Sequence, residues 1–404
     1  MRSFPHPRSP AECAGSRHRV MSARHEAIVV GGGVVGAALT LALKKAGVDV
    51  ALIERGRGPK PFDTSGYDLR VYAIAPGTAK FLDALGVWSR IAARRVCAYE
   101  EMRVWSETAL QALAFRATES RRAELGWIVE NDLLLDELWR ALAGVTIYRG
   151  VEVAAYEGST LTLSDGRELR ANLIVAADGA DSKLRELAGI EIDTWDYAQR
   201  AIVCHVATER PHRRAALQRF LPSGPLAFLP LADGRSSIVW STTEADALMH
   251  LDDAQFRARL GDAIQHELGE IRESTQRIAF PLKLLHAREY VRDNLVLVGD
   301  AAHVVHPLAG QGVNLGLADA QKLAELIAER RAAKSSIASP RALATYQRAR
   351  KAGNVEMLTL TDALYRVFGQ PSPLLGSTLQ LGMQILDRLT PIKSRLAQRA
   401  LGLT

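Results

Sequence analysis

Gly31, Gly33 and Gly36 stand between a short β-branched apolar run and a helix-forming stretch, in the spacing G-x-G-x-x-G. In that setting the first glycine permits a tight turn and the second lets backbone approach a diphosphate. The third lets the helix lie close on the strand. The helix start then offers free N–H groups and the positive end of its dipole to an anion. Glu54, 21 residues beyond Gly33, ends the next apolar run, where a carboxylate can hold ribose hydroxyls. Arg55 follows it as a further candidate ligand. The chemistry indicated is dinucleotide binding, and these residues alone do not separate FAD from NAD.

A second, distant group makes that separation. Gly299 and Asp300 close the apolar run Leu297-Val298. Gln311, Gly312, Val313 and Asn314 then open a helical stretch with Val313, Leu317, Ala320, Ala324 and Ile327 on one face. Such a second site is awkward for NAD but natural for FAD, whose ribityl chain and ring need their own anchors. Asp300 can accept hydrogen bonds from ribityl hydroxyls. Backbone N–H groups near Gly312 can face the pyrimidine edge, where negative charge builds on reduction. The candidate catalytic residues are therefore His306 and Pro307, which position the ring through the backbone, and Gly312. His303 is read as a structural hydrogen-bonder. Cys13, Cys97 and Cys204 lie far apart, which argues against a metal site, a redox dithiol or a disulfide framework. Cys204 and Trp240 are expected in core packing, and one of Cys204 and His205 is expected to face the active-site cavity.

The run HPLAGQGVNLGLAD resembles the signature of the ubiquinone-biosynthesis hydroxylases. These are a branch of the class A flavoprotein monooxygenases, related to p-hydroxybenzoate hydroxylase. Asp178-Gly179-Ala180-Asp181-Ser182-Lys183-Leu184-Arg185, after LIVAA, resembles the DG motif of that superfamily. For Asp178 this implies a part in binding FAD and NAD(P)H. Asp68-Leu69-Arg70 and the following VYAIAPGTAKFLDALGVW resemble the segment whose arginine contacts the flavin region. The likeness runs from Glu26 to Gly402. It implies an enzyme in which NAD(P)H reduces FAD and O2 forms a flavin C4a-hydroperoxide. That species hydroxylates the ring of a prenylated phenol or quinone precursor in ubiquinone biosynthesis. Two other readings stay open: a flavin-dependent oxidoreductase on another aromatic substrate, or a non-catalytic flavoprotein subunit of a ubiquinone-biosynthesis complex.

The elements that must hold these residues follow from the hydrophobic pattern. Residues 26–55 read as a βαβ unit whose strands lack alternation, so the sheet is covered on both faces. Residues 200–245 alternate instead, around the turn Ala232-Asp233-Gly234, as an antiparallel meander does. The expected class is α/β: a Rossmann-like FAD-binding domain with an inserted, mostly antiparallel β-sheet substrate domain and a C-terminal helical segment. Residues 1–24 are expected as a disordered tail. The FAD-binding domain is assigned to 25–95, 126–195 and 286–340, the substrate domain to 96–125 and 196–285, and the C-terminal helices to 341–404.

The chain of 404 residues carries a net charge of +6, with basic residues dispersed, so nucleic acid is not needed to account for the charge. No run approaches 18 apolar residues, and the expected location is the cytoplasm. Leu375, Leu379, Met383, Leu386 and Leu389 share a helical face near Arg388 and Lys393. This face suggests peripheral contact with the inner membrane or with a biosynthetic complex.

Overall fold

A computed structural model describes residues 23–106, 112–305 and 312–369. His306, Pro307 and Gln311, the face from Leu375 to Leu389, and Cys13 lie outside the described residues.

Strand β1 (Ala23–Val30) and strand β2 (Val50–Glu54) pair in parallel, joined by helix α1 (Val34–Lys45). The β1 strand begins two residues before the expected domain start, and Ala23 and Arg24 already pair with Leu169 and Arg170. Ala27–Val30 and Val50–Ile53 are buried throughout, as strands covered on both faces require. Parallel pairing extends from β1 to Glu168–Ala176 and on to Leu295–Leu297, and from β2 to Thr146–Arg149. A segment almost at residue 300 is thus two strands away from the glycine turn. Helix α1 covers the sheet together with helices Asn131–Ala141 and Gly312–Ala332. On the last of these, Val313, Leu317, Ala320, Ala324 and Ile327 are all buried, the face the periodicity marks.

The second sheet is antiparallel except for one pair, Ala215–Leu221 with Glu101–Ser106. Its centre is the long strand Ile192–Thr208, flanked by Ser236–Thr242 and Ile278–Ala287. The boundary expected between residues 195 and 196 falls inside this strand, close to a register shift between Asp196 and Arg200. Cys204 and Trp240 face one core with Phe256 and Leu260, as packing residues do. A separate small sheet joins strand β3 (Val71–Ile74) to Gly126–Glu130 and Cys97–Tyr99. The C-terminal helical segment appears as Pro340–Gly369. No described helix is long and apolar enough to cross a membrane.

Candidate functional site

The site forms where parallel strands end. The amide of Gly31 donates to the Ile53 carbonyl at 2.8 Å, that of Ala177 to Val30 at 2.7 Å, and that of Val298 to Ala176 at 3.0 Å. The turns after three strands therefore sit side by side at the carboxyl edge of the sheet, where open α/β folds bind ligands.

Each motif glycine has a different physical reason. Gly31 has φ +103°, and a Cβ there would stand 2.2 Å from the Ala177 carbonyl oxygen. A Cβ on Gly36 would stand 1.9 Å from the Gly31 carbonyl oxygen, so helix and turn meet only over a hydrogen. At Gly33, by contrast, no described residue beyond its chain neighbours lies within 4 Å of an added Cβ. Packing among the described residues does not require that glycine, whereas a diphosphate brought against the backbone would. Gly33 is also the N-cap of α1, capped by no described side chain and with no acidic residue in the first turn. An open, uncapped helix start fits an anionic ligand. Beside it Glu54 accepts from the Gly32 amide at 2.6 Å and from the Gly56 amide at 2.7 Å, which fixes the carboxylate at the strand tip. Arg55 is exposed next to it.

The second group meets the first through Val35. An added Cβ on Gly299 would lie 3.3 Å from Val35 Cγ1, and one on Gly316 would lie 2.6 Å from Val35 Cγ2. The two distant motifs are therefore in contact. Asp300 is exposed to solvent, with protein close around its carboxyl. That crowding pushes its pKa up, while His303 and Arg70 pull it down. Tyr72 completes this corner: burial drives its hydroxyl up to about 12 against the opposing pull of Arg70.

Arg70 is exposed, and the segment before it is held tightly. The Arg95 guanidinium makes a two-pronged contact with Glu130, at 2.8 and 2.9 Å, and donates to the Thr64 carbonyl at 2.8 Å. Glu130 in turn accepts from the Asp68 amide at 2.8 Å, and Asp68 accepts from the Arg70 amide at 2.9 Å. Fork-shaped pairs of this kind fix direction as well as adding energy.

Asp178 and Asn314, both expected as cofactor ligands, have internal tasks. Asp178 accepts from the Ser182 hydroxyl at 2.5 Å and the Leu184 amide at 3.2 Å, closing its own turn. Arg185, on the same turn, is buried and donates to the Ala301 carbonyl at 2.9 Å, so the DG turn braces the Asp300 loop. Asn314 accepts from the Ala75 amide at 3.0 Å and donates to the Ala73 carbonyl at 2.8 Å. It clamps the end of β3 to the helix start at Gly312. The Val313 side chain is buried in the core, which leaves its backbone as the part available to a ligand.

His303 is joined to a cluster that the motifs did not reveal. Its Nε2 lies 2.6 Å from the Asp319 carboxylate, which also accepts from the Gly299 amide at 3.0 Å and from Arg350 Nε at 2.6 Å. Asn354 adds a contact at 3.3 Å. Burial opposes the Asp319 charge, yet His303 and Arg350 outweigh it and hold the carboxyl below its ordinary range. Trp139 is the other residue without a sequence signal, and its indole N–H donates to the Gly32 carbonyl at 2.8 Å.

His205, on the face of its strand opposite Cys204, packs edge-on against Tyr67 at 5.9 Å between centroids. Burial, reinforced by Arg235, lowers its pKa from 6.5 to about 4. The native state thus resists protonation that the unfolded chain accepts. The stability this gives is complete above pH 6.5 and is lost as pH falls toward 4, at about 1.4 kcal/mol per pH unit. Replacing His205 by Gln is expected to flatten that part of the acid-unfolding profile. An unchanged slope in denaturant midpoint against pH would contradict the assignment.

Comparison with known proteins agrees with this geometry. The family model described as FAD binding domain matches residues 24–361. The 3-demethoxyubiquinol 3-hydroxylase of Escherichia coli strain K12 is 37% identical over 389 residues, spanning 94% of this chain and 98% of that protein. The ubiquinone hydroxylase UbiL of Rhodospirillum rubrum is 37% identical over 388 residues, covering 93% of this chain and 89% of its own. Among solved structures, p-nitrophenol 4-monooxygenase from Pseudomonas putida superposes with a TM-score of 0.75 at 20% identity, covering 94% of this chain and 99% of that one. That likeness concerns the fold. Given the matched family model and these relatives, the chain belongs to the FAD-binding domain family of flavoprotein monooxygenases.

Proposed function

We propose that this protein hydroxylates the aromatic ring of a prenylated phenol, a ubiquinone precursor, with FAD, NAD(P)H and O2. The observation that carries the reading is the contact of Val35, inside the glycine motif, with Gly299 and Gly316, which supports one elongated site for one FAD. The names of the relatives favour a ubiquinone precursor as substrate.

In this reading Gly31, Gly33 and Gly36 receive the diphosphate, and Glu54 and Arg55 the adenosine ribose. Asp300 and Gly299 hold the ribityl chain, with Arg70 and the Asp178 turn at its sides. Gln311, Gly312, Val313 and Asn314 present backbone to the ring, and His306, Pro307 and Gly312 set its position for reaction. Bound FAD supplies the redox and oxygen chemistry. The chain's task is to align the phenol and keep water out.

The inserted sheet supports a prenylated substrate. Ala201, Val203 and His205 share one face by alternation, and the partners of the first two are Phe280 and Ile278. These two side chains are 44% and 38% exposed, an apolar strip on the face turned toward Tyr67. We assign the strip to the prenyl tail, and the working location to the cytoplasmic surface of the inner membrane or a biosynthetic complex there. We also place the FAD-binding domain broadly in 25–95, 126–195 and 286–340, with its edges moved to Ala23 and to the start of the strand Ile192–Thr208, and the substrate domain between.

The test supplies NAD(P)H, O2 and a prenylated phenol to the purified holoprotein. The expected result is one O2 and one NAD(P)H consumed per hydroxylated product. Hydrogen peroxide with no hydroxylated product from any phenol would instead favour a flavin oxidoreductase.

A further inference from the structure

We propose that Trp139 is a positioning residue for the dinucleotide: its indole N–H sets the Gly32–Gly33 peptide so that the Gly33 amide faces the diphosphate. The inference rests on the FAD reading of the glycine turn.

Gly32 is held from both sides. Its amide donates to Glu54 Oε2 at 2.6 Å, and its carbonyl accepts from Trp139 Nε1 at 2.8 Å. A trans peptide is planar, with C=O and the next N–H pointing opposite ways, and the described residues contain no cis peptide bond. Holding the Gly32 carbonyl toward the indole therefore directs the Gly33 N–H away from it. Gly33 is the residue beside which an added Cβ would find open space. The same two hydrogen bonds tie the carboxylate read as the ribose ligand to the peptide read as the diphosphate ligand.

The indole also accounts for two glycines that the G-x-G-x-x-G spacing does not require. A Cβ on Gly32 would stand 2.5 Å from Trp139 Cζ2, and one on Gly58, at φ +95°, would stand 2.9 Å from Cζ3. Arg149, the last residue of the strand Thr146–Arg149 next to β2, lies over the ring at 5.1 Å. With glycines against the indole and a guanidinium over it, Trp139 acts on the ligand through the peptide it holds.

Apoprotein binding of FAD and of ADP, measured at equilibrium, tests this without any turnover. Trp139→Phe keeps an aromatic ring, smaller than the indole, and removes the donor. It is expected to weaken FAD and ADP by the same factor, roughly 5- to 10-fold, as for one hydrogen bond, with the apoprotein's unfolding midpoint unchanged. Gly32→Ala presses on the same indole at 2.5 Å and on Glu54 Oε2 at 2.9 Å, and is expected to weaken both ligands at least as much. Unaltered affinity in both variants would overturn the proposal. So would weaker FAD binding with ADP unaffected, or a loss of affinity that appears only together with a lowered midpoint. Failure of the wild-type apoprotein to bind FAD would instead remove the reading on which the proposal rests.

Discussion

Gly33→Val is expected to leave a folded protein that no longer holds FAD. No described residue beyond its chain neighbours lies within 4 Å of the first added carbon, and the residue's φ of −65° and ψ of −179° suit any side chain. The cost to the apoprotein is the poorer helix cap, about 1 kcal/mol. The ligand, by contrast, would meet a branched side chain where its diphosphate must touch backbone. We expect FAD affinity to fall by at least about 100-fold, or about 2.7 kcal/mol. Gly36→Val provides the contrast, because its Cβ would stand 1.9 Å from the Gly31 carbonyl oxygen. That variant should fail at folding, before any ligand is offered. Titration of FAD into apo Gly33→Val, with circular dichroism to confirm the fold, separates the two outcomes. Wild-type affinity in Gly33→Val would show that the diphosphate lies elsewhere.

Asp319→Ala is expected to cost more stability than any other removal of a side chain near the site. Its carboxylate is fully buried and accepts from Gly299, His303, Arg350 and Asn354. Removing one member of such a cluster leaves uncompensated charge and unpaired donors inside the protein, at a cost of about 3–5 kcal/mol. The effect should reach the cofactor, since the freed groups include the amide of Gly299 and the imidazole of His303, on either side of Asp300. Asp319→Asn, which keeps the shape and some acceptors, should lose less. Urea unfolding of the three proteins, with the bound-flavin content of each, checks this. An Asp319→Ala midpoint equal to wild type would show that the cluster carries no net stabilisation.

Much of this site could be read along the chain because its parts are local. The glycine turn, Glu54 and the Asp300 turn each follow directly from the end of a strand, and the helix face from Val313 to Ile327 is a 3.6-residue repeat. Trp139 and the Asp319–Arg350 pair were not legible for the opposite reason. Their partners are 107 and 31 residues away, and a half-buried tryptophan or a helical aspartate carries no local mark of what it will touch. Asn314 shows a subtler limit. Its place at a helix start suggests a ligand, but strand β3, brought there by the tertiary fold, takes both ends of its amide. Asp178 is similar, because a turn that closes on itself engages its carboxylate first. The continuous strand Ile192–Thr208 crosses an expected domain boundary because a local register shift between Asp196 and Arg200 interrupts the pairing without ending the strand.

A structure of the protein with FAD bound tests the central claim most directly. The account predicts one FAD per chain, with its diphosphate against Gly33, a ribose hydroxyl on Glu54, its ribityl chain beside Asp300 and its pyrimidine edge at the Gly312 helix start. A flavin ring lying away from Asp300, or a diphosphate away from Gly33, would contradict it.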